Sequence, residues 1–288
     1  MKNSIEWLEA KTKSIALKET KTKPVLAPAK HKQRDFFVAD LCDVAVKDDM
    51  ASMEHPLFAL KAGDKRVREY QRGDTSVKVM PGTYGCATIN DKDLWIYCIS
   101  QMVEAQNRGR EISRTLRFTA YDFLITTERG TSGDDYARMA DALSRLKGTT
   151  IETNIETDFK RERAGFGLVD SWRVVEEKNG RMVAVEVTLP DWLYRSIEAK
   201  AVLTLSPDYF RIRKPLHRRV YELARKHCGA QMKWQCTIET LYEKSGSREP
   251  LRNFKGSIRE LCEAADLPDY SVAFDGSMVR FSRKKKCA

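Results

Sequence analysis

One internal spacing constrains this chain more than any other. An offset of 118 lays a passage that begins near residue 236 over one that begins near residue 118, without a gap. Cys236 falls on Phe118, Thr237 on Thr119, Leu241 on Phe123, Phe254 on Tyr136, Ile258 on Ala140 and Leu261 on Leu143. Each passage holds a short strand-like run, a threonine in N-cap position, a helix, a polar loop and a second amphipathic helix. Any two amphipathic helices share a rhythm. The cap, both helices and the loop matching in one register indicate a tandem repeat of one domain.

The surrounding sequence fits two copies. In the first, residues 115–118 read as a strand and Thr119 caps a helix through Thr127. Ser132-Gly133-Asp134-Asp135 opens another helix, with Tyr136, Met139, Leu143 and Leu146 on its apolar face. Residues 149–156 alternate like a strand. Residues 165–176 and 182–189 read as two more, joined at Asn179-Gly180, a strong type I′ hairpin signal. In the second copy a helix is predicted from near Pro207 through Lys226, then a strand over 233–236 and a helix from its cap Thr237 through Lys244. A helix over 248–267 follows, and a hairpin turns at Asp275-Gly276. Helix, helix and hairpin is the order of a winged-helix domain. The expected fold class is α+β, with two tandem winged-helix domains. Upstream, a hairpin is predicted around Arg72-Gly73-Asp74, and Asn90 or Asp91 caps a long helix that ends at Gly109. The expected boundaries are a flexible basic arm over 1–34, a first domain over 35–200, a second over 201–283 and a basic tail over 284–288.

Charge narrows the class of partner. The 288 residues carry 51 Lys and Arg against 41 Asp and Glu, a net charge of +10. Such a surplus points to a polyanion. No window approaches the roughly 18 apolar residues of a membrane span, and the N-terminus lacks the apolar core of a secretory signal, so no membrane partner is expected. Seven scattered cysteines without a C-x-x-C pair fit reduced thiols in a cytoplasmic protein.

The cations are not spread evenly. At helical spacing, REPLRNFKGSIRELCEAADL (248–267) puts Leu251, Phe254, Ile258, Leu261 and Ala265 on one side. It puts Arg252, Lys255 and Arg259 on another, with Gly256 beside them. Like charges one turn apart repel by roughly 0.2–0.5 kcal/mol, and a helical glycine costs about 1 kcal/mol against alanine. Packing asks for neither. In a helix-turn-helix the second helix enters the major groove, where Arg and Lys read guanine and Asn reads adenine. Arg248, Arg252, Asn253, Lys255, Gly256, Ser257 and Arg259 are therefore candidate contacts to double-stranded DNA. The plainer alternative is a solvated face with Arg259 and Glu263 as an i,i+4 pair. The first copy's helix offers Arg138, Arg145 and Lys147, offset by Asp134, Asp135 and Asp141. Lys160, Arg161 and Arg163 lie in a loop at the position of a wing. Arg213 and Lys214 belong to a cluster with Arg211, Arg218 and Arg219 in which phosphate contacts mix with solvated charge. Arg280, Arg283, Lys284 and Lys285 sit on or past the last hairpin as a phosphate-neutralising end.

No catalytic constellation appears. His31, His55, His217 and His227 form no H-x-H or H-E-x-x-H pair, and no G-x-x-x-x-G-K-[ST] loop is present. His227 with Cys228 and Cys236 matches no zinc spacing. Asp40, Asp43, Asp48 and Asp49 are a carboxylate cluster of the kind metal-dependent nucleases use, but such residues more often cap helices or face water. The expectation is a binding protein, not an enzyme, that needs no cofactor or metal.

Three long blocks carry a family likeness: RDFFVADLCDVAVKDDMASMEHPLFALKAGDKRVREYQRGD, VKVMPGTYGCATINDKDLWIYCISQM and LPDWLYRSIEAKAVLTLSPDYFRIRKPLHRRVYELARKH. With them the chain from Arg34 onward resembles plasmid replication initiators of the RepA type, the replication initiator protein A family. The resemblance implies two winged-helix domains that bind repeated origin sequences (iterons), melting of adjacent DNA, and recruitment of a host initiator and replicative helicase. It also implies self-association, with dimers that repress their own gene and monomers that open the origin. It does not extend to residues 1–33. Three other readings stand beside it: a transcriptional repressor with the same domains, a DNA nickase, and an assembly protein whose basic face binds acidic partners.

Overall fold

A computed structural model of the chain describes residues 37–38, 44–72, 75–154, 156–157, 160–161, 164–177, 182–229, 231–265 and 267–284. Residues 36–288 belong to one compact unit. The expected basic arm over 1–34 and the tail beyond Lys284 lie outside the described residues.

The chain opens with β1 (Phe37–Val38), β2 (Lys47–Asp49), α1 (Met50–Glu54), β3 (Arg68–Arg72) and β4 (Thr75–Met80). Next come α2 (Lys92–Asn107), β5 (Thr115–Phe118), α3 (Ala120–Thr126) and α4 (Gly133–Gly148). Then follow β6 (Thr150–Thr153), β7 (Glu156–Thr157), β8 (Lys160–Arg161), β9 (Ala164–Gly167), β10 (Ser171–Glu176), β11 (Met182–Thr188), α5 (Asp191–Glu198) and β12 (Val202–Thr204). After a 3-10 turn over Pro207–Arg211 the chain forms α6 (Pro215–Cys228), β13 (Lys233–Thr237), α7 (Ile238–Ser245), α8 (Leu251–Ala264), β14 (Tyr270–Phe274) and β15 (Met278–Arg283). The mixture of helix and sheet is α+β.

Two parts of the chain share a local arrangement. One sheet runs β1-β5-β11-β10 and another β13-β15-β14. In each, the strand before the helix pair lies antiparallel to the last strand of a hairpin. The caps agree as well. Thr119 Oγ1 accepts from the Asp122 N–H at 3.1 Å, and Thr237 Oγ1 from the Thr240 N–H at 3.2 Å. Each is worth about 1 kcal/mol. The turns after α3 and α7 pass through left-handed residues at matching positions, Glu128 (φ 55°) and Gly246 (φ 68°). A glycine serves at 246 for a second reason. A Cβ there would lie 2.7 Å from Pro56 Cβ, on the segment after α1.

Several expectations need correction. The gapless register fails along the second helix. The buried face of α4 is Met139, Ala142, Leu143 and Leu146, whereas α8 buries Phe254, Ile258 and Leu261. Phe254, Ile258 and Leu261 therefore match Met139, Leu143 and Leu146, an offset of 115 rather than 118. The strand expected over 165–176 is broken at Leu168–Asp170, so that β9 and β10 enter different sheets. The segment from β6 to β9 is an insertion. It completes the sheet β3-β4-β6-β9 by pairing β6 with β4, Val77 against Thr153 and Met80 against Thr150. The hairpin equivalent to β14-β15 is β10-β11, so the loop that carries Lys160, Arg161 and Arg163 does not hold the wing position. The turn signal Asn179-Gly180 lies outside the described residues. Finally, the helix expected from Pro207 begins at Pro215. Pro215 takes the first helical position, where its missing N–H has no helical partner to lose.

Two apolar clusters form the interior. One gathers Trp95, Tyr97, Phe118, Phe123, Met139, Leu143 and Val185. The other gathers Tyr209, Tyr221, Phe254, Ile258, Leu261 and Phe281, together with Met53 from α1 and Ile96 from α2. Burying each large side chain contributes about 1.5–3 kcal/mol. The first part of the chain thus supplies apolar groups to the second cluster.

Ion pairs cross the same junction. Lys92 Nζ, at the start of α2, lies 2.7 Å from Asp48 Oδ2 and 3.0 Å from Glu222 Oε2, all three essentially without solvent. Glu222 also accepts from Tyr209 Oη at 2.7 Å and pairs with Arg219 at 3.1 Å. Arg219 donates to the Ser52, Met53, Glu54 and Lys244 carbonyls, and so caps the C-termini of α1 and α7 together. Arg218 pairs with Asp93 at 2.6 Å. Asp49 accepts from the Ser52 N–H and Ser196 Oγ. Asp48 and Asp49, half of the carboxylate cluster singled out above, are therefore packed structural groups. Asp40 and Asp43 lie outside the described residues.

Glu54 adds a partly open pair set at the rim, with Lys226 at 3.2 Å and Lys244 closer still. Burial pushes its carboxyl up, but the hydrogen bond from Lys244 and the charge of Lys226 outweigh this and hold it at about 2. A depressed carboxyl contributes stability that is present above its ordinary pKa of 4.5 and lost as pH falls toward 2. Glu54→Gln is expected to cost roughly 2 kcal/mol at pH 7, after screening on its open side, and nothing near pH 2. Melting curves of both proteins from pH 7 to pH 2 check this. A constant gap between them across that range refutes the assignment.

Candidate nucleic-acid interface

α8 is built to bury one side and present the other. Phe254, Ile258 and Leu261 face the core at 0–1% exposure, and Phe254 meets Tyr242 of α7 edge-on at 5.1 Å. The helix begins at Leu251 after Pro250, three residues later than the sequence suggests, which leaves Arg248 in the preceding turn. Arg252, Asn253, Gly256 and Arg259 are exposed. A Cβ on Gly256 would meet nothing within 4 Å, so the surface there is open. Arg259 lies over the Phe274 ring at 5.6 Å, which directs its guanidinium without neutralising it. Lys255 is half-buried, its ammonium 3.9 Å from Glu239. Ser257 turns away from this face into a cleft described below.

The other candidates divide. Arg248, Arg213 and Arg283 are exposed, and Lys214 is exposed but paired with Glu260. Arg280 pairs with Asp275 at 2.8 Å on the last hairpin. Lys284 is not a free tail residue. Its ammonium donates to the Leu267 carbonyl at 2.8 Å and the Ala265 carbonyl at 3.2 Å, closing the end of α8. Lys285 and Arg163 lie outside the described residues, and of Lys160 and Arg161 only the backbone is described, in β8.

In α4 the cations turn inward. Arg145 makes two 2.8 Å bonds to the Asp91 carboxylate, which also accepts from the Thr88 N–H, so Asp91 holds Arg145 and does not cap α2 with its side chain. Lys147 donates to the Asp170 carbonyl, and Arg138 pairs with Asp135 at 3.1 Å. Of the three, Arg138 alone is both exposed and clear of such ties to distant residues. Arg218 and Arg219, 5% and 2% exposed, are removed from any surface by the network at the junction.

A cleft of about 740 Å³ adjoins the start of α8. Its walls are the loop 59–66, the first turn of α6, the turn 246–249, and Ser257 and Glu260 of α8. Lys61, Lys65 and Arg66 on that loop are not among the candidates that the helical spacing picks out. The signal was present as KAGDKR, three cations around a Gly-Asp turn. Nothing local shows that this loop stands beside a helix some 190 residues later.

Comparison with known proteins agrees with the architecture. Residues 47–272 match the family model described as replication initiator protein A. A protein of Wigglesworthia glossinidia brevipalpis described as "Putative replication protein" is 42% identical over 271 residues, covering 91% of this chain and 98% of its relative. Among solved structures, domains 2 and 3 of RctB align with a TM-score of 0.59 at 11% identity, over 82% of this chain and 99% of that one. A second structure of RctB domains 2–3 aligns with a TM-score of 0.54 at 11% identity, over 78% and 93%. A family match over most of the chain, beside a relative this similar along nearly its full length, decides the relationship: the chain belongs to the replication initiator protein A family.

Proposed function

We propose that this protein is a sequence-specific, double-stranded DNA-binding initiator of plasmid replication, and that it binds origin repeats through two winged-helix domains. The observation that carries the reading is α8, which buries an apolar face and leaves Arg252, Asn253 and Arg259 exposed around an open Gly256. An α-helix of this kind fits the major groove, where those side chain types read base edges. In this reading the first domain, over 35–200, includes β5-β11-β10 with α3 and α4, and the second, over 201–283, includes β13-β15-β14 with α7 and α8. α8 supplies most base readout. α4, whose cations are largely engaged with the protein itself, contributes through Arg138 or serves assembly. Two such units on one chain span neighbouring major-groove segments about 34 Å apart. Family membership supports the further steps of the proposal: opening of adjacent DNA and recruitment of a host initiator and helicase. No catalytic step is assigned to the chain.

Arg252→Ala and Arg259→Ala are each expected to weaken specific binding by about 1–3 kcal/mol and to leave the melting temperature unchanged. Anisotropy titrations against the duplex footprinted in the DNA flanking its own gene measure this. Unchanged affinity in both variants removes α8 from the interface. A repressor would bind DNA in the same way, so an origin-bearing circle that lacks any other initiator separates the two. If the circle does not replicate, repression remains. Strand-specific relaxation of supercoiled origin DNA with a divalent metal would show a nickase instead.

A further inference from the structure

We infer that the cleft between the loop 59–66 and the start of α8 grips one phosphate backbone of the bound duplex, so that the first part of the chain shares in the second domain's DNA contact. The inference rests on the reading of α8 as a groove-binding helix. An α-helix about 10–12 Å across fills a major groove about 12 Å wide, so a backbone must pass beside it. The cleft lies where that backbone would run. Glu249 on its wall is two residues from the first residue of α8, and Ser257 and Glu260 of α8 form part of the wall.

Its charge suits a phosphodiester strand. Lys61, Lys65, Arg66, Lys214 and Arg248 line it and are exposed. Three carboxylates line it too, and each is held by a cation: Asp64 by Arg66 at 3.0 Å, Glu249 by Lys61 at 2.9 Å, and Glu260 by Lys214. Neither Lys65 nor Arg248 has an ion-pair partner among the described residues. Lys61 is 76% exposed, and an ion pair so open to water exchanges readily for a phosphate. The loop is also fixed before any ligand arrives. Asp64 Oδ1 accepts from the Arg66 N–H at 3.1 Å, and the Asp64 carbonyl from the Cys86 N–H at 2.8 Å. Groups set in place in this way lose little freedom on binding.

The test is the double variant Lys61→Gln/Lys65→Gln, which leaves Arg66 and the loop's internal bonds intact. Affinity is measured by anisotropy from 50 to 200 mM salt, on the footprinted duplex, on a scrambled duplex and on a single strand. Two lost phosphate contacts should flatten the log–log salt slope by about 2 and weaken both duplexes in parallel, with an unchanged melting temperature. An unchanged slope, in a protein whose Arg252→Ala variant does lose specific affinity, overturns the cleft and spares α8. If the Arg252→Ala and Arg259→Ala variants are both unaffected as well, the reading of α8 falls and the cleft with it. A loss confined to the single strand, or to the footprinted duplex alone, overturns the proposal of a backbone grip.

Discussion

Lys92→Met is expected to lower the stability of the protein by about 3–5 kcal/mol, and by more at pH 8 than at pH 5. The substitution roughly conserves volume and removes only the ammonium that stands between Asp48 and Glu222. Removing one partner of a buried ion pair costs that much because the remaining charge keeps its desolvation penalty. Burial raises the Asp48 carboxyl to about 7 despite the pull of Lys92, and the neighbouring Glu222 and Asp49 push the same way. For Lys92 burial works downward, but the two carboxylates raise its pKa on balance. Between about pH 4 and 7 the folded protein keeps a proton on Asp48 that the unfolded chain has released, so this group lowers stability as pH rises through that window. Lys92, with its pKa raised, contributes stability that is fully present below its ordinary 10.5 and lost only above it. Without Lys92 the Asp48 carboxyl rises further. At pH 5 it is neutral and tolerable, while at pH 8 burial opposes its ionisation at full cost. Chemical denaturation at the two pH values measures the difference. Adding Asp48→Asn to Lys92→Met should remove most of the pH dependence. If Lys92→Met unfolds with the same midpoint as the parent at both pH values, the network does not hold the junction.

That network also marks what the sequence could not disclose. Thr119 and Thr237 were legible because a cap acts on a backbone N–H three residues away. Pro215 was not, because Ser206 and Pro207 offer a start signal upstream that opens only the 3-10 turn. Arg218 and Arg219 were not. Read along the chain they extend a basic cluster, but their partners Asp93, Ser52 and Met53 lie 125 to 167 residues distant. Charge on a helix says nothing by itself about whether a carbonyl or carboxylate waits beneath it. The insertion β6–β9 misled for a related reason. Residues 149–156 and 165–167 alternate like strands of a hairpin, and period alone does not tell which sheet a strand joins. Its pairing with β4 is decided by contacts roughly 70 residues apart. The face of α8 was legible from Arg252 to Leu261 because amphipathic spacing settles both sides of a helix at once, whereas Ala265, expected on the apolar side, is an exposed left-handed residue past the helix end. The α4 register slipped by three residues because Leu143 is buried under either alignment and so cannot choose between them.

Binding of this protein to its duplex is expected to weaken by roughly 10³ to 10⁵ between about 50 and 200 mM salt. That range follows if about six to ten cations displace counterions from phosphates. The structure narrows which cations those are. Arg145, Lys147, Arg218, Arg219 and Lys284 are tied to carbonyls or carboxylates of the protein and drop out of the count. Arg213, Arg248, Arg252, Arg259 and Arg283 are exposed, and Lys214 and Arg280 are held only by exposed carboxylates that a phosphate can replace. The cleft adds Lys61 and Lys65, while Arg66 stays bound to the nearly buried Asp64. Base readers and backbone contacts should separate in one experiment. Arg252→Ala should narrow the gap between footprinted and scrambled duplexes, whereas Lys61→Gln/Lys65→Gln should keep that gap and flatten the slope. A slope corresponding to only two or three released ions would mean that most of these side chains face water in the complex. The net charge of +10 would then be a matter of solubility, and the outer face of α8 would need a partner other than duplex DNA.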